Sequence, residues 1–134
     1  LALDVPADDA AARTVVRTVG AALRRAGWPP SARADAALAV DEAVQNAVEH
    51  GSLPRAPVQV RIEADPERAR VVVTDRGRPG AATPEGPPRA PDVHDVRGRG
   101  RIIMRALADE ARWRSGPGAG TRVELEFTRG GPTA

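Results

Sequence analysis

Four short stretches of this 134-residue chain combine residue types and spacings that could do chemistry. Glu42, Asn46, Glu49 and His50 recur at intervals of three and four, which on a helix is one face. A carboxylate and an amide oxygen one turn apart can hold a water and a hard cation such as Mg²⁺, which prefers oxygen ligands. The same spacing also fits a solvated polar face. Asn46 in mid-helix, where Ala would form helix better, is the detail that speaks for the first reading. Thr74-Asp75-Arg76-Gly77 closes a valine run. It is either an ordinary turn or a strand-end carboxylate that accepts the amino group of a purine, with Gly77 letting a ligand close to the backbone. Arg97-Gly98-Arg99-Gly100-Arg101 leads into helical spacing. Glycine N–H groups ahead of a helix N-terminus bind anions, and the guanidiniums would reinforce that; a hinge or a solvated basic loop has the same composition. Gly118-Ala119-Gly120-Thr121 is a tight turn with Thr entering the last strand.

Other chemistries find little support. The chain has no Cys, so a disulfide framework and a thiolate zinc site are excluded. His94 between Asp92 and Asp95 is one imidazole in a loop, a weak basis for a metal site. Ser31, Ser52 and Ser115 lack the strand–turn–helix setting of a serine nucleophile. There is neither a Walker A motif nor a Gly-x-Gly-x-x-Gly after a strand.

The elements that must carry these residues follow from hydrophobic periodicity. Leu1 to Val5 alternates as a short strand. Asp8 and Asp9 open a helix through Val15, Val16, Val19 and Leu23, broken at Trp28-Pro29-Pro30, with Ser31 placed to cap the next. The spacing predicts a second helix from about Ala32 to His50, with Val40, Ala43, Val44, Ala47 and Val48 on its buried face and Gly51 as C-terminal cap. Val58 to Ile62 and Arg70 to Thr74 read as an antiparallel hairpin across Asp65-Pro66-Glu67. Arg76 to about Asp95 holds five Pro and no regular pattern; loops of this length are often functional lids. A third helix is expected from Arg99 to Asp109. A second hairpin pairs Ala111 to Ser115 with Thr121 to Phe127. The order β-α-α-β-β-lid-α-β-β predicts one α+β domain over residues 1–134, with a lid at about 76–97. It is a two-layer sandwich with helices on one face of a mostly antiparallel sheet.

Charge and composition narrow the partners. All 20 basic residues are Arg, set among 18 acids, for a formal net charge of +2, and aromatics are 2% of the chain. Nucleic-acid binders concentrate basic charge on one face and supply aromatics for stacking, so nucleic acid is not the expected partner. With 15 Val, 7 Leu and 3 Ile, the core should be valine-rich and contain a sheet. No apolar run approaches the ~20 residues of a membrane span and no signal peptide opens the chain, so a cytoplasmic domain away from membranes is expected. Residue 1 is Leu rather than Met, which suits a segment of a longer protein.

Taken in order, Glu-x-x-x-Asn on a helix, Asp-x-Gly after a strand, a proline-rich lid, Gly-x-Gly into a helix and Gly-Thr before the final strand resemble the Bergerat-fold ATPases, the superfamily of DNA gyrase and the histidine kinases. Asp41-Glu42-Ala43-Val44-Gln45-Asn46-Ala47-Val48-Glu49-His50-Gly51 is similar to the N-box of the bacterial anti-sigma-factor serine kinases. Met104 to Glu110, and Ser115-Gly116-Pro117-Gly118 on to Gly120-Thr121, resemble the same family. The resemblance runs from about Pro6 to Phe127. It implies a Bergerat ATP-binding fold with ATP and Mg²⁺ as cofactors. Glu42 would be the general base, Asn46 the Mg²⁺ ligand, and Asp75 the partner of the adenine amino group, with Gly77 making room and Thr121 in support. Gly98 and Gly100 would cradle phosphates, with Arg97 and Arg99 beside them. The implied activity is phosphorylation of a serine on an anti-sigma-factor antagonist, coupled to sequestration of a sigma factor by a homodimer.

Two positions depart from the family pattern. Pro79 stands where Asp-x-Gly-x-Gly has its second glycine, and Arg101 stands where an apolar residue follows Gly-x-Gly. Arg97, Arg99 and Arg101 either pair with phosphate or mark a site that no longer turns over. The second expectation is therefore a non-catalytic or regulatory ATP-binding or partner-binding module, part of a larger phosphatase or sensor protein.

Overall fold

In a computed structural model, residues 1–51, 57–75, 96–116 and 120–130 are described. Five strands, β1 (Ala2–Pro6), β2 (Pro57–Ala64), β3 (Arg68–Thr74), β4 (Glu110–Gly116) and β5 (Gly120–Thr128), form one open sheet in the order β1-β2-β3-β5-β4. Every neighbouring pair is antiparallel. The helices are α1 (Ala11–Arg25), α2 (Pro30–Asn46) and α3 (Val96–Leu107), and a π-helical turn, Ala47–Gly51, continues α2.

The alternation along each strand decides which face is covered. Val58, Val60 and Ile62 of β2, Val71 and Val73 of β3, and Val123, Leu125 and Phe127 of β5 are buried in one cluster with Val15, Val19 and Leu23 of α1, Val40 and Val44 of α2, and Met104 of α3. The helices therefore lie on one face of the sheet. Each such side chain contributes roughly 1.5–3 kcal/mol by leaving water. The opposite face is charged: Glu124 accepts from Arg70 at 2.7 Å and from Arg122 at 2.8 Å. These contacts hold its carboxyl below the usual carboxylate range, the Arg70 hydrogen bond being the main cause.

Local chemistry sets the helix ends. Trp28 N–H donates to Leu23 O at 3.0 Å and Gly27 N–H to Arg24 O at 3.1 Å, a Schellman ending with Gly27 at φ 84°. Its two hydrophobic partners, Leu23 and Trp28, are both buried. The Trp28 indole N–H donates to Asp65 O at 2.8 Å, tying this corner to the turn between β2 and β3. Two boundaries differ from expectation. Helix α1 starts at Ala11 rather than at Asp8, because Asp8 makes a turn, accepting Ala10 N–H on Oδ1 and Ala11 N–H on its carbonyl. Ser31 does not cap α2: Pro29 is the N-cap and Pro30 takes the first helical position, where a missing N–H costs nothing.

Candidate functional site

Helix α2 carries the first half of the site. Ala36, Ala39, Val40, Ala43 and Val44 are its buried stripe, and α2 touches both β3 and β5. Glu42 and Asn46, four residues apart, sit beside that stripe and are half-buried. Burial is the main cause that pushes the Glu42 carboxyl above its ordinary 4.5, with the like charges of Asp41 and then Glu49 adding to it. A carboxylate raised in this way is a stronger base. Asp41 in turn accepts a hydrogen bond from Gln45 Nε2 at 2.9 Å.

The helix does not run on to His50 as the sequence suggested. After Asn46 it widens into the π turn, which packs against β5. Such π segments often occur at functional positions.

The second half is a junction between strands. Asp75, just past β3, is 4% exposed and is the one buried charged side chain among the described residues. Its N–H donates to Thr121 O at 3.0 Å, and its Oδ1 accepts the Thr121 N–H at 3.1 Å. Gly120, at φ 74°, turns the chain into β5 so that Thr121 arrives beside Asp75; a side chain there would be strained. The pair thus fixes a desolvated carboxylate where β3 ends and β5 begins.

The remaining expected residues are less fully seen. Gly77 lies outside the described residues, as do the lid from 76 to 95, Pro79 and His94. Arg97 and Gly98, expected ahead of a helix that starts at Arg99, lie with Arg99 and Gly100 inside α3, which begins at Val96. An α-helix leaves its first four N–H groups unpaired, so Gly98 keeps the potential to bind an anion through its amide, whereas Gly100 lies deeper in the helix. No cluster of three metal-ligating side chains exists among the described residues.

The sequence matches the family described as "Histidine kinase-like ATPase domain" over residues 5–127. The chain belongs to this family. No curated protein matches it significantly. Among solved structures it is similar to the RsbU and RsbW domains of Rv1364c from Mycobacterium tuberculosis, with 29% identity and a TM-score of 0.70 over 94% of this chain and 31% of that one. It is also similar to the histidine kinase domain of the blue-light activated kinase EL346 from Erythrobacter litoralis, with 29% identity and a TM-score of 0.50 over 73% of this chain and 45% of that one. A mycobacterial sensor histidine kinase, MprB, shares the fold at 21% identity and a TM-score of 0.51, covering 100% of this chain and 99% of that one. The chain thus spans about a third of the Rv1364c structure. No described helix is long and apolar enough to cross a membrane.

One contributor was not singled out from the sequence. Asp41 was read only as part of a motif, yet its charge helps raise Glu42. Its position next to Glu42 was the available signal.

Proposed function

We propose that this domain is a Mg²⁺–ATP-dependent serine protein kinase of the anti-sigma-factor type. The observation that carries the reading is the Asp75–Thr121 junction, a buried carboxylate held by a backbone N–H, with the raised Glu42 four residues before Asn46 on α2. Asp75 would accept from the adenine amino group, with Gly77 beside it. Asn46 would hold Mg²⁺ together with the triphosphate, and the ion would supply charge neutralisation at the phosphates. Glu42 would take the proton as a serine hydroxyl oxygen bonds to the γ-phosphorus and ADP departs. Gly98, with Arg97, Arg99 and Gly100 around it, would meet the phosphates at the start of α3. The likeness to a structure containing an RsbW domain supports the serine-kinase reading. The partners would be an anti-sigma-factor antagonist and a sigma factor, and the domain would act as a cytoplasmic homodimer.

The test is phosphoryl transfer from labelled ATP to candidate anti-sigma-factor antagonist proteins of the same genome. Transfer that Glu42→Ala abolishes is the expected result. A second reading is a regulatory ATP-binding or partner-binding module of a larger protein. Arg101 and the position of Gly100 inside α3 favour it. It predicts partner binding that is unchanged in Glu42→Ala, without any transfer.

A further inference from the structure

The outer seam between α1 and the first half of α2 is a shallow groove of about 560 Å³, away from Glu42 and Asn46. Arg17, Arg24 and Arg33 line it together with small residues such as Gly20, Ala34 and Ala37, and no acidic side chain lines it. None of the three guanidiniums makes an ion pair among the described residues, and Arg33 Nε is buried without a hydrogen-bond partner. The helix dipole accounts for Arg24 in the last turn of α1. Arg17, in mid-helix, also borders a neighbouring pocket that carries Asp41 and Glu49, and the dipole disfavours Arg33 in the first turn of α2, where no acid stands.

Gly20 points the same way. It lies in the middle of α1, where glycine weakens a helix. A Cβ built on it would meet nothing within 4 Å, so no packing inside the chain requires its absence. A bare backbone lining an unfilled groove suits close approach by something outside the chain.

We infer that this groove docks an acidic amphipathic helix of a partner protein, its small or apolar stripe lying over Gly20, Ala34 and Ala37 and its carboxylates pairing with Arg17, Arg24 and Arg33. Arg17 and Arg24 are about 10.5 Å apart along α1, two helical turns, which matches carboxylates at i and i+7 of a helix laid along the seam. Arg33 is about 13.5 Å from Glu42 along α2, so the docked helix leaves the nucleotide residues uncovered. Docking at this groove requires neither ATP binding nor kinase activity.

The test uses the isotopically labelled chain and a synthetic helical peptide with Ala and Leu on one face flanked by Glu. Its controls are a scrambled peptide of the same composition, polyglutamate and a duplex DNA. The amphipathic peptide should bind at least about tenfold more tightly than any control, with amide shifts centred on Gly20, Ala34 and Ala37. Arg24→Glu combined with Arg33→Glu should weaken it about tenfold or more. Gly20→Leu, which fills the groove with a better helix former and so keeps the fold, should do the same, whereas Asn46→Ala should leave binding unchanged. Equal binding of the scrambled peptide, polyglutamate or DNA would reduce the groove to a general anion surface. That outcome, shifts centred elsewhere, or no binding would overturn the inference.

Discussion

Asp75 and Thr121 hold each other twice: the Asp75 N–H donates to the Thr121 carbonyl at 3.0 Å, and the Thr121 N–H donates back to Asp75 Oδ1 at 3.1 Å. This exchange locks the end of β3 to the start of β5 and fixes the direction of a buried carboxylate. Asp75→Asn keeps an oxygen for Thr121 but turns the other end of the side chain into a donor, which would meet the adenine amino group donor to donor. ATP affinity should fall at least about tenfold, the size of a lost charged hydrogen bond, with little change in Tm. Calorimetric titration and thermal melts of the same sample would check this; unchanged affinity would remove Asp75 from the base site.

The raised Glu42 carboxyl gives a pH signature. The acid limb of phosphoryl transfer should lie above 4.5, and Asp41→Asn or Glu49→Gln should move it down by removing a like charge. For stability the sign is opposite to that of a paired acid. The folded chain binds this proton more tightly than the unfolded one, so the contribution is present below 4.5 and is lost as pH rises through the folded value. Glu42→Gln should therefore raise Tm at neutral pH while lowering transfer.

Gly20→Ala should stabilise the domain by roughly 1 kcal/mol, the helix-propensity difference, because its methyl meets open space. Thermal unfolding should show a Tm higher by a few degrees. A drop would mean that the backbone at Gly20 is strained or packed more closely than the structure has it.

Trp28→Phe removes the indole N–H from Asp65 O, a 2.8 Å bond at a side chain only 3% exposed. The loss should be about 1–2 kcal/mol. It should appear as a lower denaturant midpoint with the slope unchanged.

Much of the fold could be read from apolar spacing, because the valines of β2 alternate as a strand requires, β3 is a continuous valine run, and the stripe of α2 recurs with a helical period. Strand order was another matter: placing β5 between β3 and β4 joins segments distant in sequence, and nothing local encodes that. Helix ends failed where two residues competed. Pro30 displaced Ser31 as the start of α2 because a proline tolerates the first helical position. The π turn after Asn46 has no signature in Ala47-Val48-Glu49-His50. Among the candidate site residues, Glu42, Asn46 and Asp75 stood out by type and spacing, whereas Thr121 entered only through the family resemblance. The third helix was expected from Arg99, with the glycine amides ahead of its N-terminus as an anion site, yet α3 begins three residues earlier at Val96 and includes Gly98 as well as Gly100.

The most direct test of the central claim is calorimetric titration of ATP, with and without Mg²⁺, into the wild type and Asn46→Ala. Binding that strengthens with Mg²⁺ in the wild type and loses most of that gain in Asn46→Ala is the predicted result. No ATP binding under any condition would contradict the account.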